Sequence, residues 1–385
     1  MNGVETPVGR PAGELDGAPV RRFVLRNGTG ATVSILEYGA IIEKLLVPDA
    51  SGTMANVVLG LSDLAEYAAD SSYFGAVVGR YANRIEQGRF PLDGEIVQLA
   101  LNDPHSSVHG GVAGFNRKVW RGTPFSSESG VGVHLDLVSP DGEEGYPGTL
   151  RTRVTYELDS RAPTLSIRYE ATTDRPTVVN LTNHSFFNLG GEQNPTILDH
   201  TIAVDADQYL PLTPTMLPTG GSSPVEDSPF DLRRPALLAD RLLAGHAELA
   251  PTRGFDHNFV LTEPGRRLRR AARLLSIPTG RTMEVWTTEP AVDLYTGNYF
   301  DGSIEGVGGL PYGPWAGIAI EPEHVSNSPN LPQFPSTVLR PGDRYRSATR
   351  LRFAAEQPAP ERVAEYEMSL RRSATDGAGP PPRAP

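Results

Sequence analysis

LRTRVTYEL, running from Leu150 to Leu158, places Leu150, Val154, Tyr156 and Leu158 on one face and Arg151, Arg153, Thr155 and Glu157 on the other. A period of two is the mark of an antiparallel strand with one face in a core and one in water. The pattern repeats on both sides of this stretch. Downstream, Leu165, Ile167, Tyr169 and Ala171 alternate with Ser166, Arg168 and Glu170. Upstream, Val131, Val133, Leu135 and Leu137 alternate with Gly132, His134 and Asp136. Turn chemistry agrees with strands. Asp93-Gly94 separates GRFPL from EIVQLAL, a strong hairpin signal. Pro278-Thr279-Gly280 joins LLSI to TMEVWT in the same way.

Helical patterns are few. Leu61–Ala69 reads as a short helix with Ser62 or Asp63 as its cap. Pro235–Ala250 reads as a second, with Pro235 in the first turn. The expectation is an all-β fold, one large antiparallel β-sandwich with a few short helices in its loops. Residues 1–18 are small and polar and read as a flexible arm, residues 19–370 as the single domain, and residues 371–385 as a disordered tail.

Composition narrows the function. The chain has 385 residues with 40 Gly and 35 Pro, close to a fifth of the total against a usual share of about 12%. So many breakers exclude a helix bundle. A formal net charge of −11 argues against a nucleic-acid binder, which needs a basic face, and against an anionic membrane surface. Zero cysteine removes disulfides and thiolate chemistry and fits a reducing cytoplasm. The first twenty residues lack the basic and apolar regions of a signal peptide, and no apolar run approaches a membrane span.

Polar residues crowded into Gly- and Asn-rich segments are the functional candidates. Five such segments are GRYANRI (79–85), NDPHSSVHGG (102–111), NLTNHSFFNLG (180–190), GFDHN (254–258) and AIEPEH (319–324). They hold His105, His109, His184, His257 and His324, together with Asp256, Glu321 and Glu323. Imidazoles and carboxylates gathered at one site equip it for proton transfer near neutral pH. Plainer readings stand beside these. His134, His200 and His246 read as solvated histidines. His105 and His109 are four apart, but Pro104 and Gly110-Gly111 put them in a loop and no HExxH is present, so no metal site is expected. Arg80 and Arg84 could pair with surface acids. Glu321 follows the apolar run Gly317–Ile320, so it leaves a buried strand and needs either an ion-pair partner or a chemical task.

VVGRYANRI, SVHGG, NLTNHSFFNLGG, GFDHNF, EPAVDLYTGNYFDG and the closing IEPEHVSNSPNLPQFPSTVLRPGDRY resemble the galactose mutarotase (aldose 1-epimerase) family, in family order from about residue 20 to about 355. The resemblance implies a β-supersandwich with an open sugar cleft. It implies interconversion of the α and β anomers of a free hexopyranose, without metal or organic cofactor, by a monomer or homodimer. It also implies His184 as general acid and Glu321 as general base, with Asn83, Arg84, His109 and Asp256 on the sugar. Opening a hemiacetal takes a proton from the C1 hydroxyl and gives one to the ring oxygen, so an ionised Glu321 and a protonated His184 are expected. His109 and Arg84 would stabilise charge developing on oxygen, and Trp or Phe would pack on the apolar sugar face.

Two departures stand out. Asp293 and Glu323 occupy positions where many relatives carry Gln. Asp293 is counted among the substrate-binding residues. Either the changes are neutral drift, with Glu323 pointing away, or the extra acid suits a cationic substrate such as an amino sugar. Two rival functions remain at this level. One is a glycosidase or lyase using Asp256 and Glu321 as paired carboxylates. The other is a non-catalytic sugar-binding protein, which would have no use for both His184 and Glu321.

Overall fold

A computed structural model describes residues 6–262, 265, 267–357, 363, 364, 366 and 368. The expected tail at 371–385 lies outside the described residues. Three antiparallel sheets carry the fold. The largest has nine strands, and its spatial order begins Arg121–Ser126, Gly130–Ser139, Leu150–Asp159, Thr164–Thr173. It continues through Tyr345–Ala355, Arg281–Thr287, Arg269–Ser276, His200–Val204 and Ala236–Leu237. The stretch that opened the sequence reading lies within this sheet, with Val154 opposite Leu135 on one side and Tyr169 on the other.

The second sheet has six strands, ordered Phe186–Phe187, Ile318–Glu323, Ala291–Tyr295, Asp256–Leu261, Ala206–Tyr209 and Ser223–Pro224. A five-stranded sheet runs from Arg10–Leu15 to Met54–Asn56. One apolar core joins all three. Val154, Leu165 and Ile167 come from the first sheet, Phe259, Val292, Leu294 and Ile320 from the second, and Phe23, Val33 and Ile35 from the third. This is the antiparallel β-supersandwich expected from the sequence, since sheets apolar on one face must bury it against another. Both expected hairpins form, Asp93-Gly94 linking Arg89–Leu92 to Glu95–Gln98 and Pro278–Gly280 linking Arg269–Ser276 to Arg281–Thr287.

Three local readings need correction. Arg10–Leu15, assigned to a flexible arm, is a strand paired with Ala18–Arg26. Its partner supplies hydrogen bonds that its own small, polar side chains do not announce. The helix expected over 235–250 shrinks to Leu238–Leu242, because Ala236–Leu237 pairs with Thr201–Ile202 at the sheet edge. His200 is fully buried rather than solvated. Its Nδ1 lies 2.6 Å from Asp199, and its Nε2 accepts from the Leu189 amide at 2.9 Å. The helix at Leu64–Ala69 does form, with the Asp63 carboxylate accepting from the Glu66 amide.

Candidate active site

The six-stranded sheet carries its chemistry in its centre. Strands Asp256–Leu261, Ala291–Tyr295 and Ile318–Glu323 run side by side, with Asn258 opposite Asp293 and Asp293 opposite Glu321. Period two then fixes which side chains share a face. Phe259, Val292, Leu294 and Ile320 point into the core. Asp256, Asn258, Asp293, Tyr295, Glu321 and Glu323 occupy the other face, and Asp256, Asp293, Tyr295 and Glu321 among them form the floor of a cleft.

The cleft has a volume of about 260 Å³. That is below the roughly 300–1,000 Å³ of sites for drug-sized ligands and suits one sugar ring. Among its lining residues are His184 and Glu321, Arg84 and Asn83, His109, and Asp256 and Asp293. Every one of these was singled out in the sequence. His184 follows the two-residue strand Thr182–Asn183, and its Nε2 stands 3.4 Å from Glu321 Oε1, with both side chains buried. Arg84 approaches Asp256 at 3.8 Å.

Asn83 and His109 sit in left-handed backbone, with φ of 63° and 50°. Gly110 follows at φ 95°, and a Cβ there would collide with the Gly79 carbonyl. The two loops therefore close on each other, and the Asn83 amide donates to His109 Nδ1 at 3.2 Å. That bond leaves the His109 proton on Nε2, a fixed neutral donor. Burial, with the charges of His184 and Arg84, holds His109 well below the usual imidazole range.

Glu323 does not line the cleft. Its Oε1 accepts from Asn83 at 2.9 Å and from Asn258 at 3.2 Å, beneath the floor. The reading that it points away holds. Arg80 is buried too and donates to the carbonyls of Ser139, Pro140, Pro147 and Gly148, a structural post rather than a surface ion pair. Of the five candidate histidines, only His109 and His184 reach the cleft. His257 faces the other side of its strand, 4.6 Å from Phe230. The aromatic lining is Phe186, Phe300, Tyr73, Tyr295 and Tyr299, and no Trp among the described residues joins it. Asn258 was quoted in the sequence but given no role. Its two-residue offset from Asp256 was the signal.

The protonation states reverse the sequence expectation. Burial lowers His184 to about 4. Burial, then the charges of Glu323, Asp293 and Asp256, raises Glu321 well above the carboxylate range. Both shifts favour the uncharged forms, neutral imidazole and neutral carboxyl, over imidazolium and carboxylate. The proton count is the same in both arrangements, one proton shared by two groups 3.4 Å apart.

An imidazole and a carboxyl in contact at the bottom of a sugar-sized cleft on a β-supersandwich suit an enzyme that moves protons on a carbohydrate. Comparison with known proteins gives the class its name. The model of the aldose 1-epimerase family matches residues 21–352. Galactose mutarotase from Rattus norvegicus is 43% identical over 344 residues, 89% of this chain and 97% of that one. Aldose 1-epimerase from Escherichia coli strain K12 is 36% identical over 356 residues, 91% and 99% of the two chains. The crystal structure of galactose 1-epimerase from Lactobacillus acidophilus superposes with a TM-score of 0.81 at 30% identity, covering 91% of this chain and 99% of that one. The chain belongs to the aldose 1-epimerase family, and its activity is that of an aldose 1-epimerase, an isomerase of free sugar anomers.

Proposed function

We propose that the substrate is a neutral hexopyranose of the galactose and glucose type, and that His184 and Glu321 are the catalytic pair. The observation that carries this reading is the 3.4 Å approach of His184 Nε2 to Glu321 Oε1 on the cleft floor. Moving the shared proton from Glu321 to His184 creates the working form, a carboxylate base beside an imidazolium acid. Glu321 then takes the proton of the C1 hydroxyl while His184 protonates the ring oxygen, and the C1–O5 bond breaks to the open aldehyde. Rotation about C1–C2 presents the other carbonyl face, and the same two groups close the ring in reverse. Arg84 and the Nε2 proton of His109 stabilise charge on oxygen during opening. Asn83, Asp256 and Asp293 hold hydroxyls, and the Phe186 and Tyr rings cover the apolar sugar face.

No helix among the described residues is long and apolar enough to cross a membrane. With no cysteine to protect or oxidise, we place the enzyme in the reducing cytoplasm, working alone or as a homodimer.

The pair needs one proton. Below His184's value of about 4 it holds two and has no base. Above the raised value of Glu321 it holds none and has no acid. The rate of anomer interconversion, followed by polarimetry from pure α-galactose, should be bell-shaped in pH. Glu321→Gln should retain sugar binding and lose about 10²–10⁴-fold in kcat. Wild-type turnover in that variant would refute the mechanism.

A further inference from the structure

Four carboxyl groups, Asp256, Asp293, Glu321 and Glu323, share one face of three adjacent strands, and one guanidinium, Arg84, acts on three of them, Asp256, Asp293 and Glu321. Arg84 sits against Asp256 at 3.8 Å. Asp293, which is 4% exposed and lies directly across from Glu321, feels the Arg84 charge but makes no ion pair within 4 Å among the described residues. Residues facing each other across strands bring their side chains within about 5 Å, so two charges there would repel in a low dielectric. Two side-chain amides donate to Asp293, that of Asn83 and that of Asn258, the latter 2.8 Å from Oδ1. The Asn258 amide also reaches Glu323 Oε1 at 3.2 Å, which ties the row together without adding charge.

We propose that Asp293 works as a protonated carboxylic acid, a hydrogen-bond donor to a sugar oxygen, and so makes the cleft selective for uncharged hexoses. Asn258 occupies Oδ1 as an acceptor, so Oδ2 carries the proton on a residue that lines the cleft. A carboxylate at this place could only accept. The titratable and charged groups packed about Asp293 are Asp256 from one neighbouring strand, Glu321 and Glu323 from the other, and Arg84, His109 and His184 from the loops above. Burial, followed by the Asp256 charge, pushes Asp293 up to about 8, with Arg84 pulling the other way. The cleft then counts one Arg84–Asp256 ion pair, one proton on the His184–Glu321 pair and a neutral Asp293. It has no surplus negative charge for an ammonium group. The amino-sugar preference that the acidic residues suggest in the sequence is thereby replaced by its opposite, a preference for neutral sugar. This assignment rests on the sugar-isomerase reading above.

The sign follows from proton binding. Asp293 holds its proton below about 8 and loses it as pH rises through that value. The donor disappears, and sugar binding weakens. The test is steady-state anomerisation of galactose and galactosamine, with KM and kcat read separately from pH 6 to 9.5. Wild-type KM for galactose should rise about tenfold above pH 8, and galactosamine should be the poorer substrate at pH 7. Asp293→Ala should raise KM about tenfold at pH 7. Asp293→Asn, which keeps a donor in place of the carboxyl proton, should recover most of that loss and show a KM that no longer follows pH. Thermal stability gives a second readout. A carboxyl whose value is raised on folding makes stability fall from its ordinary range up to about pH 8, and this slope should flatten in Asp293→Asn. Two results would overturn the assignment: Asp293→Asn as damaged as Asp293→Ala, or a wild-type preference for galactosamine at pH 7 that Asp293→Asn abolishes. Failure of wild-type protein to interconvert any hexose would instead strike the catalytic reading, so the two failures are told apart.

Discussion

The strands Leu150–Asp159 and Ala291–Tyr295 obey the same period of two and put it to opposite uses. In the first, Leu150, Val154, Tyr156 and Leu158 are buried while Arg151 and Arg153 reach water, where Arg153 meets Asp136 across the sheet at 2.7 Å. In the second, Val292 and Leu294 join the core, but the opposite face is buried as well, and there Asp293 stands beside Glu321. A polar face in water costs almost nothing to keep. A row of carboxyls under the surface is held against desolvation and mutual repulsion, which is why Glu321, Glu323 and Asp293 are all pushed towards their protonated forms. A fold gains no stability from such a row, so its presence marks the part of the sheet kept for chemistry.

The difference can be broken at either end. The largest effect should come from the buried polar face. His184→Asn should lower kcat by about 10²–10⁴-fold, and the double variant with Glu321→Gln should be no worse than the poorer single by more than about tenfold, since the two share one proton. Fully additive losses in presteady-state polarimetry would show two independent groups. Next comes the apolar face. Leu165→Ala, at a fully buried position paired with Leu158 and Leu351, should cost about 2–5 kcal/mol in urea unfolding while kcat per folded molecule is unchanged. A lowered kcat there would mean that core packing reaches the cleft. The smallest effect belongs to the wet face. Arg153→Ala removes an exposed ion pair and should change stability by about 1 kcal/mol or less.

The same contrast explains what could be read in advance. Three neighbouring strands of the nine-stranded sheet, Gly130–Ser139, Leu150–Asp159 and Thr164–Thr173, were legible because their alternation is local and one face is wet, and the Asp93-Gly94 and Pro278–Gly280 turns are local too. The site residues were legible as a set because the family motifs quote them directly. Other features depend on partners far away in the chain. Arg10–Leu15 is a strand only because Ala18–Arg26 and the sheet behind it exist. Ala236–Leu237 leaves a helical pattern to pair with Thr201–Ile202. His200 looked like any polar-strand histidine, although the Asp199 beside it was a hint of an internal bond. Protonation was the least legible property. Glu321 and His184 are an ordinary acid and base until burial and the neighbouring Asp293 and Glu323 exchange their resting forms.

Glu321 and Asp293 come from the middle of hydrogen-bonded strands, whereas Asn83 and His109 come from loops that meet above them. The division separates two kinds of inheritance. Strand register cannot slip by one residue without sending every side chain to the other face, so Glu321 and Asp293 are locked to the scaffold. The loops obey no such register, and exchanging those that carry Asn83 and His109 is the route by which one scaffold would acquire new sugars while keeping the carboxyls of its floor. For anyone redesigning this enzyme, the floor is the part to leave alone and the rim is the part to vary.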